Sequence, residues 1–582
     1  MVLILFILMA VSSLIELIAV VAIPVLVSIL TNPQGFLENE RYVNILNTIG
    51  INDSNSLIYW GGGFVLVAFL MKNAFLIFYK YVSTGFVFRL YRRLGDRLFR
   101  SYMNAPYINL ISRNSAELLR NVTQETHLLV IKVLFPFLKL VMDALVVVAI
   151  LLLLFFVEPL VTLAVFSILG AGSILFMKLL RGKIKKHGKQ EQEYRARMIK
   201  SVNEAFGGLK ELKAGNRTPF FTQKFSDEIS KTSFSYRFKE FMGQIIVPGV
   251  ETFAVLGMMV ITGLFMAQGK SIQAIIPLLT LFIAATARLM PALKKTIHHY
   301  TVIKYHAYVV DPVFRDLTEY GQTQKQADFG EKYDTLPFNE TVEFKDICFK
   351  YIESEQKALE KVCFKIKRGQ VVAFVGRSGA GKTTMADVFL GLLEPQHGIV
   401  LVDGNEVDIT KINWKSNVGY IPQQVFLIDD TIRANIALGV SDEQIDDSKI
   451  EAAIDAAQLR ELIDNLPHGA HTKTGEYGVR LSGGQRQRIG IARALYNYPS
   501  ILVMDEATSA LDNQTERFVM QAIDEFRKDR TIVIIAHRLS TVKNADCIFI
   551  MADGKITDSG TYEELMQKSE SFKKLAGAID FS

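Results

Sequence analysis

The chain has 582 residues, half of them hydrophobic and only 21% charged, with a mean hydropathy of +0.23. It is long enough for several domains and too apolar for an ordinary soluble protein. A net charge of +6 over that length gives no case for nucleic-acid binding. The three cysteines, Cys348, Cys363 and Cys547, include no CxxC pair, which argues against a disulfide framework or a zinc site.

Residues 1–300 carry the long apolar runs, residues 301–335 read as a linker, and residues 336–582 read as a soluble α/β domain. A membrane-spanning helix needs about 20 mostly apolar residues. Six segments qualify: Met1–Leu30, then about Leu57–Val82, Leu128–Val157, Pro159–Leu180, Ile245–Met266 and Ile272–Leu293. The first run lacks the basic start of a signal peptide and is too long for one, so it is expected to remain as a helix.

Basic residues set the orientation. Arg89, Arg92, Arg93, Arg97 and Arg100 follow the second segment. Arg181, Lys183, Lys185, Lys186 and Lys189 follow the fourth. Both polar stretches, 83–127 and 181–243, are therefore cytoplasmic. Their few breakers predict helices running on out of the membrane. Turns with exposed aromatics at Asn104–Leu119 and Gly215–Phe225 are candidate docking helices at the tips.

Between the first two segments, Asn32–Ile51 carries Phe36, Leu37, Val43, Ile45 and Leu46, a pattern for a short amphipathic helix at the outer face. In the sixth segment, Arg288 is an intramembrane charge. Its cost, on the order of 3 kcal/mol at the bilayer centre, implies a cavity or a partner. Lys72, Lys132 and Lys139 are candidates to add positive charge to that cavity, with Asp143 and Glu251 as counter-ions.

The soluble part begins its chemistry at Val371–Thr384, VVAFVGRSGAGKTT: an apolar strand, a glycine loop and a helix start. Gly376, Gly381, Lys382 and Thr383 fit GxxxxGK[ST]. In Gly376-Arg377-Ser378-Gly379-Ala380-Gly381-Lys382-Thr383-Thr384, backbone N–H groups and a helix N-terminus cradle phosphates. Lys382 reaches the β- and γ-phosphates, and the Thr383 hydroxyl serves Mg²⁺. Ile501–Asp512, ILVMDEATSALD, is a buried strand ending in two acids. Asp505 is placed to hold Mg²⁺ and Glu506 to polarise the attacking water. Val533–Leu539 is a third strand with His537 at its end, a candidate γ-phosphate contact.

Leu481-Ser482-Gly483-Gly484-Gln485 precedes a helix without a strand before it. With the loop, the acids and the histidine, it resembles the signature of the ATP-binding cassette (ABC) family. The resemblance covers the whole chain and implies a membrane α-helical bundle of six transmembrane helices, of the type IV ABC exporter kind, fused to an α/β P-loop ATPase cassette. It implies ATP and Mg²⁺ as cofactors. The signature segment caps ATP held by a second copy, so the partner is expected to be a second copy of the chain; an unlike partner with equally intact motifs also fits. By the same resemblance Tyr351 stacks on adenine, and Gln423 lies near Mg²⁺ and the membrane-domain contact. Glu476 is the acidic loop before the signature, and Ser509, Ala510, Leu511 and Asp512 form the loop that crosses to the partner.

Arg-Leu-x-Pro at Arg288 and the long outer loop resemble the branch that flips lipid-linked oligosaccharides for protein glycosylation. That implies ATP-driven flipping of a polyprenyl-pyrophosphate glycan or a similar amphipathic lipid across a bacterial cytoplasmic membrane. A multidrug or lipid A-type exporter shares every motor residue and is the alternative. A membrane-anchored regulator fits less well, since Glu506 and the signature are intact. The cytoplasmic helix that usually precedes the first span in such exporters is missing from the sequence as given.

Overall fold

The computed structural model describes residues 2–31, 33, 37, 53–157, 159–267, 272–320, 336–352, 354–410, 412–475, 478–506, 530–536 and 542–579. The chain divides into two compact units. One comprises residues 1–105 and 113–327, the other 106–112 and 328–582.

In the first unit, each predicted span falls on a long helix. These are α1 (Val2–Thr31), α2 (Ser54–Met103), a helical run from Ser115 that ends as α4 (Phe135–Val157), α5 (Pro159–Gly207), α7 (Thr218–Ala267) and α8 (Ile272–His306). Asp53 starts α2 by accepting the Ser56 N–H at 3.0 Å. At 50 residues, α2 is about 75 Å long, far more than the roughly 30 Å of bilayer hydrocarbon. Its apolar side chains Leu66, Met71 and Ile77 are exposed, as lipid-facing residues are. Leu37 packs with Ile29, Leu57 and Ile58. Apart from Pro33 and Leu37, the outer loop expected at Asn32–Ile51 lies outside the described residues.

The docking-helix expectations come out differently at the two tips. Tyr107–Ile111 forms the short helix α3, which belongs to the second unit, where Ile108 packs against the hydrophobic core. Gly215–Phe225, by contrast, is not a separate helix. The short helix α6 is Leu209–Ala214, and the residues from Thr218 onward already belong to α7. Asn216, in left-handed conformation at φ 52°, closes that turn.

Beyond the spans, the cytoplasmic helices hold a polar core. Arg195 on α5 donates to Glu125 at 3.1 Å and pairs with Glu191 at 3.6 Å; both carboxylates are fully buried. Tyr308 and Tyr236 donate to Glu191 at 2.8 and 3.0 Å. Burial pushes the Glu125 carboxyl upward against the pull of Arg195 and Arg120. A second knot centres on Asp316 of α9 (Val310–Glu319), which accepts from the Tyr102 hydroxyl, from Arg113 at 2.9 Å and from Asn121 at 2.9 Å. Burial alone would raise the Asp316 pKa; these hydrogen bonds reverse that and lower it. Asn121 and Glu125 lie in a π-helical turn, Asn121–Glu125, and a second follows at Leu129–Leu134. Such wide turns often mark functional positions.

His306, at the end of α8, is buried with neither ring nitrogen hydrogen-bonded, and burial lowers its pKa to about 3. It is therefore neutral in the fold, and the unfolded chain takes up the proton first as pH falls below 6.5. Stability is lost from there down towards pH 3. By pH 4.5 the loss reaches about 2–3 kcal/mol. His306→Phe is expected to flatten the pH dependence of the melting temperature between pH 7 and 4.5, followed by intrinsic fluorescence. An unchanged acid slope would exclude His306 as its source.

The second unit is built on two sheets. β1 (Thr341–Phe349), β2 (Leu359–Lys367), β4 (His397–Val402) and β5 (Asn405–Glu406) form an antiparallel sheet in the order β2-β1-β4-β5. β3 (Val371–Val375), β6 (Val418–Ile421), β7 (Ile501–Asp505), β8 (Thr531–Ile535), β9 (Cys547–Ala552) and β10 (Lys555–Gly560) form the other, in the order β10-β9-β3-β8-β7-β6. The pairs β3–β8, β3–β9, β7–β8 and β6–β7 are parallel. Every residue of β3, β7 and β8 is buried, which explains their unbroken apolar sequences. Parallel strands bring their carboxyl ends to one edge, where ligands bind in such sheets.

Candidate nucleotide site

The loop after β3 leads into α10 (Lys382–Phe389). Two of its glycines are required by space. A Cβ on Gly376 would lie 2.3 Å from the Met551 carbonyl oxygen. One on Gly381, at φ +98°, would lie 2.6 Å from that of Ala358. The loop is thus held against β9 and the start of β2. A cavity of about 650 Å³ opens there, lined by Tyr351, Ser378, Gly379, Gly381, Lys382, Thr383, Thr384 and Glu506. Lys382 is buried, and its ammonium donates to the Gly376 and Arg377 carbonyls at 2.8 and 3.1 Å. Burial lowers its pKa, while Glu506 and Asp505 work to hold the proton. The Tyr351 ring stands edge-on to Phe349, and its hydroxyl lies 3.1 Å from that of Thr384.

Asp505 closes β7. Glu506 follows in left-handed conformation at φ 47°, with its N–H bonded to the Ile535 carbonyl at 3.0 Å. This strained turn fixes the carboxylate at the mouth of the crevice. Gln423, beyond the end of β6, donates its side-chain N–H to Glu506 at 2.6 Å. Thr383, Gln423 and Asp505 supply hard oxygen atoms, the donor chemistry Mg²⁺ takes. No group of three or more His, Cys, Asp or Glu suited to a metal gathers among the described residues. Mg²⁺ bound mainly by nucleotide phosphates needs none.

The signature segment behaves differently. Ser482 caps α11 (Gly483–Leu495) in a reciprocal pair: its hydroxyl accepts the Gln485 N–H at 3.2 Å, and the Gln485 side chain accepts the Ser482 N–H at 2.8 Å. Gly483 faces open space. None of Leu481–Gln485 lines the phosphate-loop cavity among the described residues. His537, Glu476 and Ser509–Asp512 lie outside the described residues.

The family sequence profile of the ABC transporter ATPase matches residues 359–509, and that of the ABC transporter transmembrane region matches residues 2–289. A curated ATP-dependent lipid A-core flippase of Cupriavidus pinatubonensis is 33% identical over 82% of this chain and 80% of its own length. The chain belongs to the ABC transporters. It is an ATP-hydrolysing membrane transporter with a cytoplasmic ATPase domain. A lipid A-core flippase of Ralstonia nicotianae is 31% identical over 82% of this chain and 80% of its length. The solved ATP-bound structure of a bacterial Atm1-family ABC exporter superposes with a TM-score of 0.76, at 20% identity, covering 98% of this chain and 97% of that one. The architecture is that of a type IV ABC exporter. The expected branch, that of lipid-linked oligosaccharide flippases, is not singled out by these relatives.

Among the expected cavity residues, the side chain of Arg288 lies outside the described ones. The Lys72 ammonium lies 5.2 Å from the Phe69 ring centre and that of Lys139 lies 4.1 Å from Phe135. Lys132 falls in the second π-helical turn. Asp143 lies 3.4 Å from His299 of α8, and Glu251 is exposed on α7. Gln356, Lys357 and Asp553, which no sequence motif marks, also line the phosphate-loop cavity. They belong to turns brought in by the antiparallel sheet and β9, and carry no phosphate-loop pattern.

Proposed function

We propose that two copies of this chain form an ATP-driven flippase for a phosphate-bearing lipid of the lipid A type in a bacterial cytoplasmic membrane. Similarity to lipid A-core flippases over some four fifths of the chain carries this reading. It moves the lipid A-type alternative of the sequence analysis ahead of the lipid-linked oligosaccharide. The polyprenyl-pyrophosphate glycan remains the second reading, on the Arg288-Leu289-Met290-Pro291 resemblance in α8. Both cargoes join phosphate and sugar to long apolar chains, several acyl chains in the first and one polyprenyl chain in the second.

In this mechanism the phosphate-loop N–H groups from Gly376 to Thr384 hold the phosphates, and Tyr351 packs on adenine. Lys382 leaves the Gly376 and Arg377 carbonyls for the β- and γ-oxygens. Thr383, Gln423 and Asp505 would hold Mg²⁺, which would supply positive charge against the phosphates. Glu506 takes the proton of the attacking water and His537 contacts the γ-phosphate. Leu481–Gln485 and Ser509–Asp512 complete the second copy's site. Nucleotide bound between the copies favours the closed pair by its differential affinity, and hydrolysis releases it.

Proteoliposomes containing the purified chain test this. ATP-dependent movement of a lipid A-type glycolipid, absent with a drug substrate, is expected; movement of only the polyprenyl-pyrophosphate glycan would exchange the two readings. Movement of neither would remove the flippase assignment. Arg288→Ala is expected to reduce flipping at least about tenfold, if it loses one charged contact of roughly 1.4 kcal/mol, with basal ATPase retained. Unaltered flipping would take Arg288 out of the cargo path.

A further inference from the structure

Between the cytoplasmic lengths of α5 and α7 lies a second cavity, of about 520 Å³, remote in sequence from every nucleotide motif. α5 contributes Lys186, His187, Gln190 and Tyr194; α7 contributes Ser230, Lys231, Phe234 and Ser235. Ser235 is 1% exposed and its hydroxyl has no hydrogen-bond partner. The Nδ1 of His187 is likewise buried without one, its ring stacked on Phe238 at 4.0 Å. Buried polar atoms are nearly always satisfied, so two unsatisfied ones on residues that line one cavity point to a polar occupant.

The charges select its sign. Lys186 forms no ion pair among the described residues. Lys231 spends one N–H on Glu228 at 3.1 Å and lies over the Tyr194 ring at 5.9 Å. Among the described lining residues are two lysines and no carboxylate, which disfavours a metal ion and favours an anion with several acceptor oxygens. Ser235 and the lysines supply donors of the kind a phosphate takes. Burial and the neighbouring Lys186 lower the His187 pKa, so the ring offers a neutral donor or acceptor rather than a third charge.

We infer that this groove binds a phosphate-bearing anion through Lys186, Lys231 and Ser235. Lys186 lies six residues beyond Leu180, the end of the fourth apolar segment, or about 9 Å along the helix. A phosphate can therefore reach the groove from a lipid headgroup or from solution. The site concerns binding alone and stands whether or not the transported lipid is of the lipid A type.

The test uses the full chain in phosphatidylcholine nanodiscs with Mg-ADP in excess, so that the phosphate loop is occupied. Sodium pyrophosphate is added in one arm, and phosphatidic acid is mixed into the lipid in the other. Hydrogen exchange is followed over residues 183–197 and 227–238. Slowed exchange with pyrophosphate alone assigns a soluble anion, with phosphatidic acid alone a headgroup, and in both the shared phosphate. In each case K186A/K231A is expected to weaken the effective affinity about tenfold or more with basal ATPase unchanged, and S235V to weaken it independently. No protection in either arm overturns the site. So does protection that persists in both variants.

Discussion

Glu506→Gln is expected to lower ATP turnover by about 10²- to 10⁴-fold, the usual contribution of a general base, while Mg-ATP still binds. Glutamine keeps the volume and the hydrogen-bonding edge, so Gln423 retains a partner at that position. The left-handed turn at φ 47° is set by the backbone and its bond to Ile535, and is not altered by the change. Only the ability to take a proton is lost. The measurement is steady-state phosphate release from the full chain in nanodiscs, with binding followed by a fluorescent ATP analogue. Turnover within a factor of a few of the native rate would assign the base elsewhere. Loss of binding together with turnover would show that the residue holds the site's shape instead.

The second large effect is structural. Arg195→Ala is expected to destabilise the first unit by about 3–5 kcal/mol, because it removes the cation shared by two buried carboxylates and leaves Glu191 with tyrosine donors alone. Glu125 and Glu191 are both fully buried, and Arg195 is the cation they share. The triple change Arg195→Met, Glu125→Leu and Glu191→Leu is expected to recover most of that loss, since replacing a buried ionic cluster by apolar side chains is often nearly neutral. Thermal unfolding in detergent, monitored by intrinsic fluorescence, reads both. A single variant that melts with the native protein would mean that water reaches the cluster and screens it.

The parts of the candidate nucleotide site were legible in the sequence because they are local. Gly376, Gly381 and Lys382 sit within one loop, and Asp505 and Glu506 are consecutive. The contact between Gln423 and Glu506 spans 83 residues, and only the parallel order of β6 and β7 brings it about. The spans were legible from length and hydropathy. The cytoplasmic polar cores were not, since Glu125, Glu191 and Arg195 occur among many surface charges and no local pattern tells which will be buried. Gly215 and Asn216 were seen as a turn, but the short helix was placed on the wrong side of it. Leu209–Ala214 reads as a continuation of the helix before it, and the break at Gly207–Gly208 separates them.

The helix Ser54–Met103 runs without interruption from the outer side of the membrane far into the cytoplasm. It cannot hinge at the bilayer surface; it can only lean as a whole. A rod of that length couples its two ends, since a tilt that spreads one end draws in the other. In α7, Pro248 interrupts the backbone ladder, and a bend localised there would let that arm give way while its neighbours stay stiff.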